Sequence, residues 1–182
     1  HVSTGGMSAD QRRAAYADTS KHMVMVGHQA LRDDLTWAVA KHYFAGDELK
    51  ARKALLGPSD KEADRHKMIQ DAAKREGWDF GFSMMDEGHD ALNRRGKPNS
   101  RLANALDGFM APHKYHINAT ATAVKNDVSE AFDLLHKMRP DRYPREAEGG
   151  FMRKFGSVPI ESVQEALRRE VAPYFYSHQV DT

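Results

Sequence analysis

The feature that most constrains the fold is a short apolar run at residues 80–85, which ends in two adjacent carboxylates, Asp86 and Glu87. An almost unbroken apolar run of this length is typical of a strand buried on both faces of a parallel sheet. Two carboxylates at the end of such a strand carry a desolvation cost, which a cation such as Mg²⁺ would offset. Ligands of open α/β sheets bind at that end of the strands, so the run predicts a functional crevice. A solvated turn or a helix N-cap is the alternative for the same residues.

Predicted strands and helices alternate along the rest of the chain. Residues 23–26 and 114–118 are further short strands, and residues 1–6 are the end of another strand with its turn. The spacing of apolar residues predicts or permits helices over segments 8–19, 29–44, 100–110, 128–138 and 160–171. Segment 142–150 is predicted to be a loop. Buried strands separated by helices predict an α/β fold with a short parallel sheet flanked by helices.

Length and composition allow one domain and exclude several classes of function. A chain of 182 residues is long enough for a single domain with a substantial core. A formal net charge of +1 gives no global field, so any nucleic-acid contact must be local. The absence of cysteine excludes a disulfide scaffold, a thiol nucleophile and a thiolate zinc site, and is compatible with a cytoplasmic chain. No apolar run is long enough to span a bilayer, so no membrane partner is expected.

Segment 47–77 differs in composition from its surroundings. It is rich in charged residues, and Ser59 is positioned to cap a helix that runs to about Arg75. Met68, Ile69 and Ala72 form only a thin apolar side for that helix. We therefore expect a solvated helical insertion on the surface of the domain. The alternative is a basic arm that contacts a nucleic-acid backbone.

The order of these segments resembles the helicase-like ATPases of superfamily two, and within them the Swi/Snf-type DNA translocases. Segment 23–35 is similar to motif Ib, and segment 78–93 is similar to the Walker B motif, which is Asp86-Glu87-Gly88-His89 here. Thr120-Ala121-Thr122, with Asn126 following, resembles motif III. Segment 129–142 resembles the helix that comes next, and segments 151–156 and 165–176 resemble the phenylalanine-rich loop and the helix end that follow it. The resemblance implies that residues 1–182 are part of one RecA-like lobe, from motif Ib to just after motif III.

The resemblance also implies cofactors and catalytic roles. In such ATPases the first Walker B carboxylate orders Mg²⁺ on the phosphates of ATP, and the second polarises the attacking water. ATP and Mg²⁺ are therefore the implied cofactors, with Asp86 as metal ligand and Glu87 as general base. His89 joins this catalytic group. The implied nucleotide-side residues are Thr120, Thr122 and Asn126, and the hydroxyls of the two threonines, with His89, would link nucleotide state to domain movement.

DNA, expected to be duplex, is the partner that the resemblance implies. The family contacts the DNA backbone at the strand end that corresponds to Gly27 and His28, and nearby basic side chains could add to this contact. Those basic residues are Arg94, Arg95 and Lys97. The other implied partner is the remainder of the motor, which would provide a Walker A loop and a second lobe.

The chain departs from the family pattern at its start. Gly5-Gly6 is followed by Met7, so these glycines are not followed by the Lys-Ser or Lys-Thr of a Walker A loop. We therefore expect the chain to be inactive alone, as a portion of a longer motor that is cytoplasmic or carried by a phage particle. One alternative is a degenerate, non-catalytic module that binds protein or nucleic acid. A histidine-metal hydrolase is a third hypothesis, from a different class.

Overall fold

Two pairs of parallel strands carry the β structure of this chain. The computed structural model describes residues 1–56, 61–86, 100–119, 128–139 and 141–156, together with Glu165 and Arg169. Strand β1 (Val2–Ser3) pairs with β2 (Val24–Met25), and β3 (Phe82–Asp86) pairs with β4 (Tyr115–Ala119). The predicted strands are confirmed, but in the described part of the chain they form two separate two-stranded sheets rather than one.

Seven α-helices lie in the described part of the chain. They are α1 (Ala9–Ala17), α2 (His28–Tyr43), α3 (Glu48–Leu55), α4 (Glu62–Arg75), α5 (Arg101–Met110), α6 (Val128–Met138) and α7 (Glu148–Phe155). Ser8 and Gln11 form a capping box at the start of α1, and the Ser100 hydroxyl accepts a hydrogen bond from the Ala103 backbone N–H at 3.3 Å. Segment 142–150, predicted to be a loop, contains a 3₁₀ turn (Arg145–Ala147) and the start of α7. None of the described helices is both long and apolar enough to cross a membrane.

The main core forms where α2 packs against α3, α4 and α5. Its central side chains have no solvent exposure, namely Leu35, Val39, Leu55, Ile69 and Leu106. Val24 and Val26, on and just after β2, pack against this cluster, and so does Phe80, just before β3. Helices α6 and α7 pack against each other through Phe132 and Phe151, whose ring centroids are 5.3 Å apart. The two strand pairs therefore share one helical core.

Helices α3 and α4 correct the expectation for segment 47–77. Leu55 and Ile69 are completely buried, and Arg65 is only 3% exposed. The segment thus contributes part of the main core, whereas a solvated surface helix was expected. Helix α4 ends at Arg75 as predicted but begins at Glu62, and the predicted cap Ser59 lies outside the described residues. That the segment is an insertion stays a prediction.

Strand β3 is not buried on both faces, as the apolar run predicted. The parallel register places Phe82 beside Tyr115 and Met84 beside Ile117. These four side chains are 49–63% exposed, whereas Met85, on the opposite face, is 5% exposed. The prediction was wrong because the described helices cover only one face of this sheet. We call the four side chains the open sheet face.

Candidate functional site

The parallel register of β3 and β4 positions the predicted catalytic strand end. Asp86 is the last residue of β3, and its register partner is Ala119, the last residue of β4. Because the strands are parallel, both carboxyl ends lie at the same edge of the sheet, where α/β proteins bind ligands. The polypeptide therefore continues into Glu87 and into Thr120 from neighbouring strands. Asp86 itself is exposed, so the desolvation cost predicted from the sequence does not apply to it.

Eight of the predicted site residues lie outside the described residues. They are Glu87, His89, Arg94, Arg95, Lys97, Thr120, Thr122 and Asn126. Their roles stay predictions. Of the predicted site, the structure places Asp86, Gly27 and His28.

Asp86 suits the metal that the resemblance implies. Mg²⁺ is bound in nucleotide sites by one or two carboxylates together with phosphate oxygens and water, and Asp86 offers a carboxylate at an exposed strand end. Among the residues that the structure describes, no group of three or more His, Cys, Asp or Glu could hold a metal ion. These residues thus give no support to a histidine-metal hydrolase.

The histidines nearest to β3 and β4 have structural partners. His116 on β4 lies with Nδ1 2.7 Å from the Ser83 hydroxyl on β3, which joins the two strands. His113 packs edge-on against Phe80 and Phe109. Burial lowers the pKa of His113, and the nearby charge of His116 lowers it further. His113 is therefore favoured in its neutral form, as part of an aromatic cluster.

Gly27 and His28 form the start of α2, directly after β2. Gly27 is the N-cap, and no side chain caps the first turn of the helix. A Cβ atom at Gly27 would meet no atom within 4 Å, so the backbone is open on that side. The uncapped N–H groups at a helix N-terminus carry partial positive charge and attract anions. His28 thus lies in the helix rather than in the turn before it, at a position compatible with the predicted backbone contact.

A buried carboxylate on α2 fixes the position of this helix against α1. Asp34 has no solvent exposure and accepts hydrogen bonds from Arg12 Nε at 2.9 Å and Nη2 at 3.1 Å. It also accepts from Arg13 Nε at 3.1 Å and from the Tyr16 hydroxyl at 2.9 Å. Burial raises the pKa of Tyr16, and the charge of Asp34 raises it further. We call this set of four residues the Asp34 clamp.

Three arginines that the sequence reasoning did not single out lie on helices that pack together, and the charges of two of them act on the third. Arg32, Arg52 and Arg101, called here the arginine cluster, come from α2, α3 and α5. Arg32 and Arg101 both approach Asp33 Oδ1, at 2.7 Å and 3.5 Å. One signal was available in the sequence, since segment 93–101 contains four cations and no carboxylate and so extends the predicted basic residues as far as Arg101.

Comparison with known proteins finds relatives over half of the chain. Chromodomain-helicase-DNA-binding protein 8 of Danio rerio is 33% identical over 90 residues, which is 50% of this chain and 3% of the relative. Chromodomain-helicase-DNA-binding protein 7 of Homo sapiens has the same identity and coverage. Chromodomain-helicase-DNA-binding protein 9 of Mus musculus is 32% identical over 95 residues, 52% of this chain and 3% of the relative. The chain contains a Swi/Snf-type helicase-like region.

This helicase-like region confirms the family resemblance that the motifs predicted. No family model matches the chain, and no solved structure matches it. The chain spans about 3% of the length of the curated relatives that it matches. The relatives named above are vertebrate proteins and give no support to a phage origin. The helicase-like region is therefore identified by sequence similarity. Its activity and its partners are proposed below.

Proposed function

We propose that the chain is a portion of an ATP-dependent DNA translocase or helicase-like motor, and within that motor part of one RecA-like lobe. The observation that supports this best is the parallel register of Asp86 with Ala119, because it brings to one edge of a sheet the two strand ends that the Walker B-like and motif III-like residues follow in the sequence. The similarity to proteins named as helicases supports the same assignment. Within the lobe, segment 47–77 is proposed to be an insertion that has become part of the core.

The roles follow the chemistry of phosphoryl transfer. Asp86 would hold a Mg²⁺ ion, which when bound neutralises charge on the β- and γ-phosphates of ATP. Glu87 would accept a proton from the attacking water, and His89, two residues further along the sequence, would belong to the same catalytic group. Thr120, Thr122 and Asn126 would contact the nucleotide from the end of β4. Positioning and charge neutralisation provide most of the catalysis in this reaction class, so these residues need no covalent role.

DNA is the proposed partner, and duplex DNA the proposed form. The names of the relatives include DNA binding. Phosphate groups suit the uncapped first turn of α2 at Gly27 and His28. Arg94, Arg95 and Lys97 would add sequence-independent charge contacts. We also propose that the chain alone does not turn over ATP, because the Walker A pattern is not found in its sequence.

Mutation of the two acidic residues in the complete motor tests this function. We expect duplex DNA to stimulate ATP hydrolysis, and Glu87→Gln to abolish turnover while ATP binding persists. Asp86→Asn is expected to weaken binding of Mg²⁺–ATP in addition to abolishing turnover. Asp79→Asn is a matched control, because Asp79 is exposed near the opposite end of β3. DNA-stimulated turnover that survives Glu87→Gln would remove Glu87 from the mechanism.

The open sheet face favours a second candidate, a non-catalytic module that binds a protein. Four large apolar side chains exposed together form a surface of the kind that mediates protein contacts. In that case the isolated chain would bind its partner without nucleotide, and Asp86→Ala would leave the affinity unchanged. A pull-down with and without ATP, followed by titration calorimetry, separates this candidate from the motor.

A further inference from the structure

The arginine cluster joins three helices at one corner of the main core. Arg32 lies in the second turn of α2, Arg52 lies on α3, and Arg101 is the first residue of α5. Helix α2 packs against α3 and α5, and α3 also packs against α5. Within this packing Arg32 and Arg101 share the carboxylate of Asp33, and the charge of Arg52 acts on Arg101. Arg52 belongs to segment 47–77, so the cluster includes a residue of the proposed insertion.

The nearby carboxylates only partly neutralise the cluster. Asp33 is shared between Arg32 at 2.7 Å and Arg101 at 3.5 Å, so one carboxylate serves two guanidinium groups. Glu48 pairs with Arg52 at 3.3 Å, one helical turn away. Among the residues that the structure describes, the ion pairs of the cluster set three cations against two carboxylates, which leaves one positive charge. The N-terminal dipole of α5 adds to it, because Arg101 lies in the first turn of that helix.

The positive charges around Arg101 affect its pKa. Burial lowers the pKa of Arg101, and the charges of Arg32 and Arg52 lower it further, against the opposing charges of Asp33 and Glu48. The potential around Arg101 therefore disfavours a further cation, and an anion would relieve the repulsion. A ligand in solution can reach all three side chains. That of Arg52 is 49% exposed, and those of Arg32 and Arg101 are each 20% exposed.

We propose that the arginine cluster binds the phosphate backbone of DNA. The proposal deepens the proposed function and rests on it, because it assigns the DNA partner a surface on α2, α3 and α5. Guanidinium groups form bidentate hydrogen bonds with phosphate oxygens, and such contacts position a protein on a duplex without reading its sequence. Three further cations, Arg94, Arg95 and Lys97, precede Arg101 closely in the sequence, and such a run of cations suits the repeated charges of a nucleic-acid backbone better than an isolated anion.

Salt-dependent DNA affinity of the full 182-residue chain tests the proposal. Fluorescence anisotropy with a labelled duplex of mixed sequence would compare the wild-type chain with Arg52→Ala and with the double variant Arg52→Ala/Arg101→Ala. We expect the double variant to bind about 10-fold more weakly at low salt, and the slope of log affinity against log salt to fall by about one for each phosphate group that the variant no longer neutralises. Asp33→Asn is expected to bind more tightly, because it removes a competing carboxylate.

Arg75→Ala is the matched control for Arg52→Ala. Arg75 pairs with Asp71 one helical turn away at 2.8 Å and is 52% exposed, but it lies in the last turn of α4. Its removal takes away the same charge and the same kind of ion pair, and we expect DNA affinity to stay within about twofold of the wild type. Thermal unfolding of each variant identifies any decrease in affinity caused by unfolding, and the exposed Arg52 allows the test even if the Arg101 variant is unstable.

Two outcomes would overturn the proposal. Wild-type affinity and salt slope in a folded Arg52→Ala/Arg101→Ala chain would place the DNA contact elsewhere and leave the motor function standing. Binding of an acidic peptide through the cluster, with no effect of these substitutions on DNA, would make the surface a protein contact. The Glu87→Gln experiment decides the motor function independently, because it measures turnover rather than affinity.

Discussion

The single side chain of Asp34 accepts four hydrogen bonds from three residues while having no solvent exposure. Asp34→Ala would leave two guanidinium groups and a phenol hydroxyl without their acceptor. We expect the free energy of unfolding to fall by about 3–5 kcal/mol, as is typical when one partner of a buried ion pair is removed. Urea denaturation measures this. Asp10→Ala, which removes a 95% exposed partner of Arg13, should leave the midpoint unchanged.

Glu76 makes the free energy of unfolding depend on pH in the acid range. Burial alone would raise its pKa, but hydrogen bonds from Lys41 at 2.7 Å and His42 at 2.6 Å outweigh burial, and the net pKa lies below 4.5. A lowered folded-state pKa means that the unfolded chain binds a proton first, so this stabilisation is present above pH 4.5 and is lost as pH falls through the folded-state pKa. Glu76→Gln should cost about 1 kcal/mol at neutral pH and flatten the acid limb of a plot of unfolding free energy against pH.

At the scale of elements, the crossing of α4 and α5 depends on Gly108. A Cβ atom there would lie 2.5 Å from Ile69 Cδ1 and 3.3 Å from His66 Cα, so the backbones approach closely. Gly108→Ala should therefore destabilise the chain by about 1–3 kcal/mol, although alanine is the better helix former. A Cβ atom at Gly150, in α7, would meet no atom within 4 Å, so Gly150→Ala should stabilise by about 0.5–1 kcal/mol. Matched thermal melts that show the same sign for both would contradict the close-packing argument.

The helices were more predictable than the environment of the strands. Ser100 and Ala103 interact locally, so the start of α5 was visible in the sequence, and α6 was predicted with the bounds observed. The apolar run ending at Asp86 correctly predicted a strand, but it predicted two covered faces. A run of apolar residues reports its own hydrophobicity, whereas its burial depends on which helices reach it. The prediction of a solvated helix in segment 47–77 was wrong for the same reason. Small residues such as Ala72 complete a core that only the packing of α2 and α5 reveals.

At the scale of the whole molecule, the open sheet face makes association the expected behaviour of the isolated chain. Met84 is 63% exposed and its neighbour Met85 is 5% exposed. Substitutions at these two adjacent residues therefore compare the exposed and the buried face of one strand. Met84→Lys should reduce aggregation and binding of an apolar dye, with little change in melting temperature. Met85→Lys should destabilise by several kcal/mol, because it buries an unpaired charge. Light scattering and thermal melts measure both. Equal effects of the two substitutions would mean that Met84 is covered in solution.

The site was predictable in its order along the chain and only partly in its chemistry. The register of Asp86 with Ala119 agrees with the motif order, because parallel strands must end at the same edge. The sequence could not predict the whole arginine cluster, since the charges of Arg32 and Arg52 act on Arg101 only because three helices pack together. The Asp34 clamp was equally hidden. Helical spacing places Asp34 nearer than the half-exposed Asp33 to the apolar side of α2, but it does not reveal the three donors on α1.

The pairing of β3 with β4 has a consequence for biosynthesis. Ser83 finds His116 only after the chain has grown by 33 residues, with α5 translated in between. A nascent chain therefore presents β3 without its neighbour after the helices that precede it have been translated. During that interval the apolar strand β3 is unpaired, and chaperones that recognise apolar strands could bind it.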